Sequence, residues 1–247
     1  MSTLYVIATP IGNLEDVSYR VARVLGELEA LACEDTRHTR ILLDRYHIPR
    51  PKLFFSYHEH NETQAAGRIL GLLERGTAVG LVTNAGYPGV SDPGYRVISQ
   101  AVERGFRVEV LPGAGAVETA LVLSGLPGVS FTFKGFAPRT PKRRRDFLAM
   151  EKEMPHTLVL FESPRRLGAL LADAREVLGD RKAAVCIEIT KMFEQVHRGY
   201  LGELAVEFGE AAIKGEVTVV IAGNNPKFVK QEAEPAEPLP EGDAGAR

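Results

Sequence analysis

Residues 4–33 read LYVIATPIGNLEDVSYRVARVLGELEALAC and contain every part of a strand–helix–strand unit. The apolar run 4–8 predicts a first strand, and the run 30–33 predicts a second. Between them, apolar residues recur at the spacing of one helical face: Val17, Val21, Val24, Leu25 and Leu28. Asp16 is the predicted N-cap of this helix. The order is typical of a βαβ unit, in which both strands belong to a parallel sheet.

The same alternation continues to the end of the apolar part of the chain. Further strands of the first half are predicted at 53–56, 78–83 and 108–111, and further helices at 62–75 and 95–104. The run VGLV at 79–82 is apolar on both sides of the pleat, as expected for a parallel strand covered by helices on both faces. The second half repeats the theme, with strands at 131–136, 157–161, 184–189 and 217–222 and helices at 142–153, 165–178 and 201–212. The sequence therefore predicts an α/β protein.

The segment 111–113, Leu-Pro-Gly, predicts a sharp turn after the fifth strand, and we place a domain border there. An N-terminal α/β domain would then comprise residues 1–113 and a C-terminal α/β domain residues 114–225. Residues 226–247 are predicted to be a disordered tail rich in acidic residues and proline. Residues 231–247 hold five acidic residues, three prolines and one large apolar side chain, too little to offset the entropy of ordering.

Composition excludes several classes of protein. The 247 residues include 30 Lys+Arg and 32 Asp+Glu, so the chain is not a polycation that binds nucleic acid over its whole surface. Cys33 and Cys186 lie far apart and predict neither a disulfide framework nor a zinc site. No apolar stretch reaches the roughly 20 residues that span a bilayer, and the N-terminus lacks the basic region of a signal peptide. We expect a cytoplasmic protein that makes no membrane contact.

Three loops rich in glycine and proline follow predicted strands, at 8–14, 83–94 and 111–116. Open α/β sheets bind ligands at this end of their strands, and glycine lets the backbone approach a ligand closely. The alternative is that the loops only form turns, which fits 83–94 least well because it holds three glycines and two prolines in twelve residues. The nucleotide fingerprints G-x-G-x-x-G and G-x-x-x-x-G-K-[ST] and the hydrolase motif G-x-S-x-G do not occur. We therefore expect a small ligand whose charge is not mainly phosphate.

Polar side chains follow the second and third predicted strands: Glu34, Asp35, Arg37, His58, Glu59 and Asn61. Ionisable groups at the ends of neighbouring strands suit proton transfer or substrate orientation. The alternative is local structure, because acidic and amide side chains also cap helices and favour helix N-termini. His58 and His60 lack a third ligand at a metal-binding spacing, so we expect no metal.

The only dense basic run follows the sixth predicted strand and contains Arg139, Lys142, Arg143, Arg144 and Arg145. Five cations in seven residues are either a solvated helix face or a contact to the phosphate backbone of an RNA. On a chain of net charge −2, this run is the candidate footprint for a nucleic acid.

Eight strings of this sequence together resemble the tetrapyrrole-methylase superfamily and, within it, the small-subunit ribosomal RNA methyltransferase I family. They are ATPIGNLEDVS at 8–18, ACEDTRHTR at 32–40, SYHEHNE at 56–62, AGYPGVSDPGYR at 85–96, LPG at 111–113, GFAPR at 135–139, FESPRRL at 161–167 and KGEVTVVIAG at 214–223. The resemblance implies two α/β domains of the tetrapyrrole-methylase type with a cofactor cleft between them. It also implies a homodimer.

The same resemblance implies that S-adenosylmethionine binds in the cleft and that its methyl group goes to the 2′-hydroxyl of a cytidine in the decoding region of 16S rRNA, within the small ribosomal subunit. The positions that would line the cofactor pocket are Pro10, Asn84, Ala85, Gly86, Tyr87, Val90, Gly115, Ala116, Phe161 and Thr190. The chain departs from the family pattern at four positions, where Asn84, Tyr87, Gly115 and Arg165 replace the usual Asp, Thr, Ser and His.

Under this interpretation, Asp35 and His58 are the predicted proton acceptors, and Glu34 and Glu59 orient them. Arg37, Asn61 and the basic run 139–145 are predicted to hold the RNA.

Two competing functions remain open at this point. One keeps the fold and the cofactor but methylates a tetrapyrrole carbon, which would favour apolar pocket walls over the acidic, basic and histidine-bearing loops found here. The other is a non-catalytic protein that binds RNA or a ligand, with Asn84 as the mark of a decayed site.

Overall fold

A computed structural model describes residues 2–209 and 213–230 of the chain. Its first sheet contains strands β1 (Thr3–Ile7), β2 (Ala30–Cys33), β3 (Leu53–Ser56), β4 (Val79–Val82) and β5 (Arg107–Leu111). The strand order is β3-β2-β4-β1-β5, and every neighbouring pair is parallel. Because parallel strands all point the same way, the loops that follow them meet at one edge of the sheet.

Four helices connect these strands: α1 (Tyr19–Glu27), α2 (Thr36–Arg45), α3 (Glu62–Glu74) and α4 (Tyr95–Glu103). They cover both faces of the sheet, and each face has its own buried apolar cluster. Apolar residues on both sides of β4 are therefore buried, as the run VGLV predicts.

The second sheet contains β6 (Phe131–Phe136), β7 (Thr157–Glu162), β8 (Lys182–Ile187), β9 (Gln195–Tyr200) and β10 (Val217–Ile221). Its order is β6-β7-β10-β8-β9, with only β6 and β7 parallel. The predicted alternation of strand and helix fails between β8 and β9, which follow each other without a helix and form an antiparallel pair. Strand β10 lies antiparallel between β7 and β8. The helices of this half are α5 (Ala116–Ser124), α6 (Pro141–Ala149), α7 (Leu167–Leu178) and α8 (Leu201–Glu207).

The two halves share one buried apolar cluster. Ile11, in the loop after β1, is buried in a cluster with Val117 of α5 and with residues of the second sheet and its loops, including Val159 and Ile189. This contact joins the edge where the loops of the first sheet meet to one face of the second sheet.

Several element boundaries differ from those predicted. Helix α1 begins at Tyr19 because the Ser18 hydroxyl accepts a hydrogen bond from the Val21 N–H at 3.2 Å, so the assignment of Asp16 as N-cap was wrong. Strand β8 ends at Ile187 because Glu188 takes a φ of 53°, which no strand accommodates. Helices α2 and α5 and strand β9 were not predicted.

The described part of the chain reaches five residues into the segment predicted to be a disordered tail. Pro226–Phe228 form one turn of 3-10 helix, and Val229 pairs with Arg181. The rest of that segment, 231–247, lies outside the described residues. The border proposed at residue 113 falls between β5 and α5 and stays a prediction.

Candidate functional site

A cavity of about 780 Å³ lies between the two sheets. One wall consists of residues from the loops that follow β1, β2, β4 and β5 of the first sheet and from the start of α5. The opposite wall comes from β6, β7, the start of β10 and the segments beside them. The cavity therefore occupies the crevice outside the carboxyl ends of parallel strands, where open α/β sheets bind ligands.

Hydrogen bonds hold the three predicted loops together. Thr9 and Gly86 form a two-bond bridge, with N···O distances of 2.9 and 3.0 Å, and Gly86 has a φ of 69°, which favours glycine. The Tyr87 hydroxyl accepts a bond from the Gly113 N–H at 3.1 Å. Loops 8–14, 83–94 and 111–116 thus form one connected wall, as their composition predicts.

Eight of the ten residues predicted to line a cofactor pocket line this cavity: Asn84, Ala85, Gly86, Tyr87, Val90, Gly115, Ala116 and Phe161. Pro10 and Thr190 do not line it, but their neighbours Ile11 and Ile189 do. The structure therefore brings most of this set together, whereas the role assigned to the set stays a prediction.

The opposite wall is aromatic, and sequence reasoning missed most of it. Phe161 packs edge-on against Phe133, with ring centroids 4.8 Å apart, and against Phe136 at 5.7 Å. Phe131 completes this wall. The alternating aromatic residues of FTFKGF at 131–136 were a signal, but alternation alone does not show which face of a strand meets a cavity.

The charged side chains that line the cavity are all acidic: Glu34, Asp92, Glu118, Glu162 and Glu216. No Lys or Arg belongs to the lining among the described residues. An acidic, partly aromatic cavity repels an anionic ligand and attracts a cation, which also gains from the negative faces of aromatic rings. The electrostatics agree with the expectation that phosphate does not dominate the ligand.

Glu34 and Glu162 line the cavity but already accept hydrogen bonds from neighbouring residues. Glu34 accepts a hydrogen bond from the Asn84 N–H at 3.1 Å. Glu162 is fully buried and accepts bonds from Arg166 and from the Ser163 N–H, both at 2.7 Å.

Asp92 differs from these two because no hydrogen bond or ion pair to its side chain occurs among the described residues. Burial raises the pKa of its carboxyl to about 6, and the negative charges of Glu34 and Glu216 add to the rise. The composition of loop 83–94 marks the loop but not Asp92 itself, because the pKa of Asp92 is raised by residues distant in the chain.

Two polar side-chain atoms near the cavity are buried without a hydrogen-bond partner in the described part of the chain. They are Asn84 Oδ1 and Thr190 Oγ1. A buried acceptor without a partner costs roughly 1–3 kcal/mol, which a ligand that donates a hydrogen bond recovers. Asn84 therefore offers a ready acceptor to a ligand in this cavity.

The structure gives Asp35 a local role. Its carboxylate caps helix α2 by accepting the Arg37 N–H at 2.8 Å, and it pairs with the Arg37 guanidinium at 2.7 Å. These bonds hold the pKa of the Asp35 carboxyl well below its usual range. A carboxylate with a depressed pKa is a poor proton acceptor, and neither Asp35 nor Arg37 lines the cavity.

The segment 56–61 is also organised by its own side chains. Asn61 accepts the His58 N–H at 2.8 Å and donates to the Ser56 carbonyl at 3.0 Å, so its amide closes a turn. His58 Nδ1 is buried and has no partner among residues 2–209 and 213–230. Neither residue lines the cavity between the sheets.

Glu59 lines a second cavity of about 660 Å³ that lies beside the first. Its lining is polar and comprises Glu59, Glu62, Ser91, Asp92, Pro93, Gly94, Tyr95, Arg96, Ser99, Gln100 and Glu103. Ser91 and Asp92 line both cavities, so this pair forms a shared wall.

The basic run divides into two groups. Arg144 is buried and pairs with Asp173 of α7 at 2.6 Å, and Arg145 pairs with Asp173 at 3.5 Å and with Glu176 at 3.1 Å. The prediction that Arg144 holds a substrate was wrong, because its guanidinium anchors α6 to α7.

The other three cations of the run are exposed and have no ion pair within the described residues: Arg139, Lys142 and Arg143. They lie outside the lining of either cavity.

Among the described residues, no group of three or more His, Cys, Asp or Glu side chains is arranged to hold a metal ion. None of the helices in that part of the chain combines the length and apolar character needed to cross a membrane.

Comparison with known proteins adds three findings. A family model described as "Tetrapyrrole (Corrin/Porphyrin) Methylases" matches residues 3–205. Proteins named "Ribosomal RNA small subunit methyltransferase I" are similar over most of their length. The relative from Halalkalibacterium halodurans is 44% identical over 93% of this chain and 79% of its own. That from Thermotoga maritima is 40% identical over 90% of this chain and 99% of its own.

Among solved structures, a cobalt precorrin-4 methyltransferase superposes with a TM-score of 0.67 at 16% identity, covering 89% of this chain and 94% of that one. Uroporphyrin-III-C-methyltransferase from Thermus thermophilus superposes with a TM-score of 0.60 at 21% identity, covering 90% and 94%. At these identities the matches concern the fold, and they confirm the predicted two-domain α/β class.

Proposed function

Because the chain belongs to the tetrapyrrole methylase family, and within it to the ribosomal RNA small subunit methyltransferase I family, we propose that it methylates the 2′-hydroxyl of a cytidine in the decoding region of 16S rRNA. The membership confirms the resemblance found in the sequence. The chain is an S-adenosylmethionine-dependent ribosomal RNA methyltransferase; the cytidine, its 2′-oxygen and the decoding region are the proposal.

The lining of the cavity between the sheets is the observation that supports the proposal most strongly. S-adenosylmethionine carries a sulfonium and an ammonium group, and a lining whose charged side chains are all acidic, with an aromatic wall, fits such a cation. When bound, this cofactor supplies a methyl group already activated by its positively charged sulfur. The residues present therefore fit the cofactor.

The residues that would hold the cofactor divide between the two walls. Main chain and the unpartnered amide oxygen of Asn84 would accept hydrogen bonds on the first wall, and Gly115 and Ala116 would let the ligand approach the backbone closely. Phe161 would form the apolar face on the other side. The walls would fix the orientation of the reacting groups, and positioning of this kind can supply roughly 7–11 kcal/mol of the barrier reduction.

The proposed RNA contacts lie on the surface. Arg139, Lys142 and Arg143 carry exposed charges that suit the phosphate backbone, which they would position without reading its sequence. Arg37 would also contact the phosphate backbone, because its side chain is 87% exposed although it pairs with Asp35. Asn61 would act indirectly, by shaping the turn that presents His58 and Glu59.

We further propose that the protein acts as a homodimer on the small ribosomal subunit, and hence in the cytoplasm. The homodimer and the small ribosomal subunit are what the family resemblance implies, and the cytoplasm follows from the second. Sedimentation of the purified protein at micromolar concentration tests the first, with a mass near 54 kDa expected for two chains of 27.0 kDa.

Transfer of a labelled methyl group tests the proposed function. The protein is incubated with labelled S-adenosylmethionine and small ribosomal subunits that lack the modification, and the label is then mapped by nuclease digestion. Label on one cytidine ribose of the decoding region, resistant to alkaline cleavage there, is the expected result. Label on a base, on another ribose or on a tetrapyrrole precursor offered in parallel would contradict the proposal.

A further inference from the structure

A tight turn in the loop 83–94 places Ser91 and Asp92 between the two cavities. Gly89 and Gly94 have φ values of 85° and 149°, and Ser91 between them takes 62°, which is uncommon for a residue with a side chain. The Gly89 N–H donates to the Pro93 carbonyl at 3.3 Å, which closes the turn. A Cβ on Gly94 would lie only 2.8 Å from Gly89 N. The backbone at this position is therefore built to project Ser91 and Asp92 into the shared wall.

We propose that Asp92 takes the proton from the acceptor hydroxyl and that the acceptor nucleoside enters through the second cavity. This inference rests on the proposed function, since it assumes a ribose hydroxyl as acceptor. Its basis is position, because Asp92 is the one carboxylate that lines both the cavity fitted to the donor and the cavity beside it, among the residues described.

The other carboxylates of the first cavity are less suited to this task. Glu34 and Glu162 accept hydrogen bonds within the wall, and Glu216 pairs with Lys191 at 3.1 Å. Glu118 is exposed on α5 and does not reach the second cavity. Asp92 combines a free carboxylate with access to both sides.

The surroundings of Asp92 also make it a stronger base than an ordinary aspartate. Partial burial and the charges of Glu34 and Glu216 raise its pKa to about 6. The remaining charged groups that face it line the two cavities: Glu59, Glu62, Arg96 and Glu103 on one side, and Glu118 and Glu162 on the other. A base with a pKa just below the working pH is ionised yet accepts a proton readily.

The step balances with groups already named. As the 2′-oxygen forms its bond to the methyl carbon, the hydroxyl proton moves to the Asp92 carboxylate. The electron pair of the broken carbon–sulfur bond stays on sulfur, whose positive charge it neutralises. The proton on Asp92 then passes to solvent through the open second cavity.

The second cavity suits a nucleoside rather than a macrocycle. Its lining is polar and its charged side chains are mostly acidic, so it would admit the uncharged base and ribose and leave the phosphates outside. At its rim the Tyr95 ring is 77% exposed. RNA bases that leave the stack are commonly held on aromatic side chains of this kind. A carboxylate such as that of Glu59 can accept a hydrogen bond from the amino group that cytosine carries.

Asp92→Asn is the direct test, with Asp44→Asn as the matched control on the exposed face of α2. Calorimetry of S-adenosylmethionine binding and single-turnover methyl transfer to unmodified small subunits are measured for both variants. We expect Asp92→Asn still to bind the donor, with an affinity lowered only modestly by the loss of one of the five lining carboxylates. The transfer rate with the donor bound should fall by about 10²–10⁴-fold, the range for a general base. Transfer at the wild-type rate with the donor bound would overturn the assignment.

The pH profile separates a base from a structural residue. The wild-type single-turnover rate should rise with pH through about 6, as Asp92 loses its proton, and then level off. Asp92→Asn should lose this limb, and Asp92→Glu should restore part of the rate with a displaced limb. If Asp92→Asn fails to bind the donor, the pH profile of Asp92→Glu is the test. A rise of its transfer rate at the same pH as in wild type would contradict the proposal.

Tyr95→Ala tests the entry of the acceptor, with Tyr19→Ala, 98% exposed on α1, as its control. We expect KM for the small subunit to rise about tenfold at unchanged donor affinity, because stacking on an aromatic ring is lost. An unchanged KM would exclude the second cavity as the acceptor site. Failure of wild-type protein to methylate any ribose would instead refute the proposed function, so the two failures are distinguishable.

Discussion

The two sheets contribute different surfaces to the cavity that they enclose. The parallel sheet presents loops, in which main-chain groups, the Asn84 amide and the carboxylates of Glu34 and Asp92 face the cavity. The mostly antiparallel sheet contributes chiefly phenylalanine rings, with Phe161 at the centre of the aromatic wall.

Strand direction explains this difference. In the first sheet all strands end at one edge, so polar loops from distant parts of the chain accumulate there. In the second sheet neighbouring strands mostly alternate in direction, so fewer of its loops gather at one edge. The aromatic side chains of β6 and β7 meet the crevice together with a few loop residues such as Pro164 and Glu216. The comparison implies that the parallel sheet provides the groups that move a proton and that the mostly antiparallel sheet provides the surface against which the ligand packs. Substitutions on the two sheets should therefore have different effects.

The largest effect is expected away from the cavity, in the second half. Arg144→Met leaves the Asp173 carboxylate buried with only the weaker Arg145 contact, and breaking a buried pair costs about 3–5 kcal/mol of unfolding free energy. Urea denaturation measures this change. Arg143→Met, on the exposed face, is the control and should stay within about 0.5 kcal/mol of wild type. Equal losses in both variants would show that Arg144 is not an anchor.

Phe161→Ala tests the packing side of the comparison. Removal of the central ring should weaken S-adenosylmethionine binding by about 10–100-fold, because apolar contact and a cation–ring attraction are lost together. The transfer rate at saturating donor should fall less than threefold. Phe193→Ala, 72% exposed, is the control. A large loss of rate with normal donor affinity would reverse the roles assigned to the two walls.

Gly12→Ala tests the joint between the halves. A Cβ on Gly12 would lie 2.6 Å from Thr190 Oγ1 and 2.8 Å from the Ile189 carbonyl, so the 189–191 segment must move. Overpacking of this kind costs about 1–3 kcal/mol, and we expect donor affinity to fall about tenfold because Ile189 lines the cavity. Gly26→Ala in α1 meets no atom within 4 Å and is the matched control. A wild-type donor affinity of Gly12→Ala, measured by calorimetry, would show that the contact between Gly12 and segment 189–191 does not fix the shape of the cavity.

Replacing Arg139, Lys142 and Arg143 by Ala tests whether the exposed cations act on RNA. The plot of log affinity for the small subunit against log salt should become shallower by about 0.7–0.9 per lost phosphate contact, whereas donor affinity should not change. A double Ala variant at Arg20 and Arg50, exposed on the first half, is the control. If the slope of log affinity against log salt is the same in both variants, the exposed cations of the basic run are only a solvated surface and do not contact RNA.

The smallest effect concerns Asp35. Because its pKa lies below its usual 3.8, its charge stabilises the folded state above that value, and the contribution is lost as pH falls further. Asp35→Asn should therefore lower Tm slightly at pH 7, with a smaller difference near pH 3, and leave the transfer rate within threefold of wild type. A rate loss comparable to that of Asp92→Asn would restore Asp35 as the proton acceptor.

Sequence periodicity was sufficient for most of the fold. Every strand of the first sheet was predicted within one or two residues, because runs such as VGLV are apolar on both faces and end at glycine, proline or polar residues. Strand β9, QVHRGY, was missed because its polar side chains resemble a loop. Helix α2 was missed because it begins within the polar cluster of Glu34, Asp35 and Arg37. That cluster was interpreted as a functional loop, and the apolar periodicity of the residues after it was overlooked.

The site was predictable where backbone conformation determines it and not where tertiary proximity does. The glycine and proline loops around Gly86 and Gly115 were found because their composition marks a close approach of backbone to ligand. Asp92 was missed because burial and the nearness of Glu216 perturb it, and no local pattern reports either. Arg144 was misassigned because a run of cations does not reveal which one faces inward.

A crystal structure of the protein with S-adenosylhomocysteine tests the central claim most directly. The account predicts that the ligand lies between the Asn84 loop and Phe161, with its sulfur directed toward the shared wall of Ser91 and Asp92. A ligand bound elsewhere, or one whose sulfur points away from that wall, would contradict it.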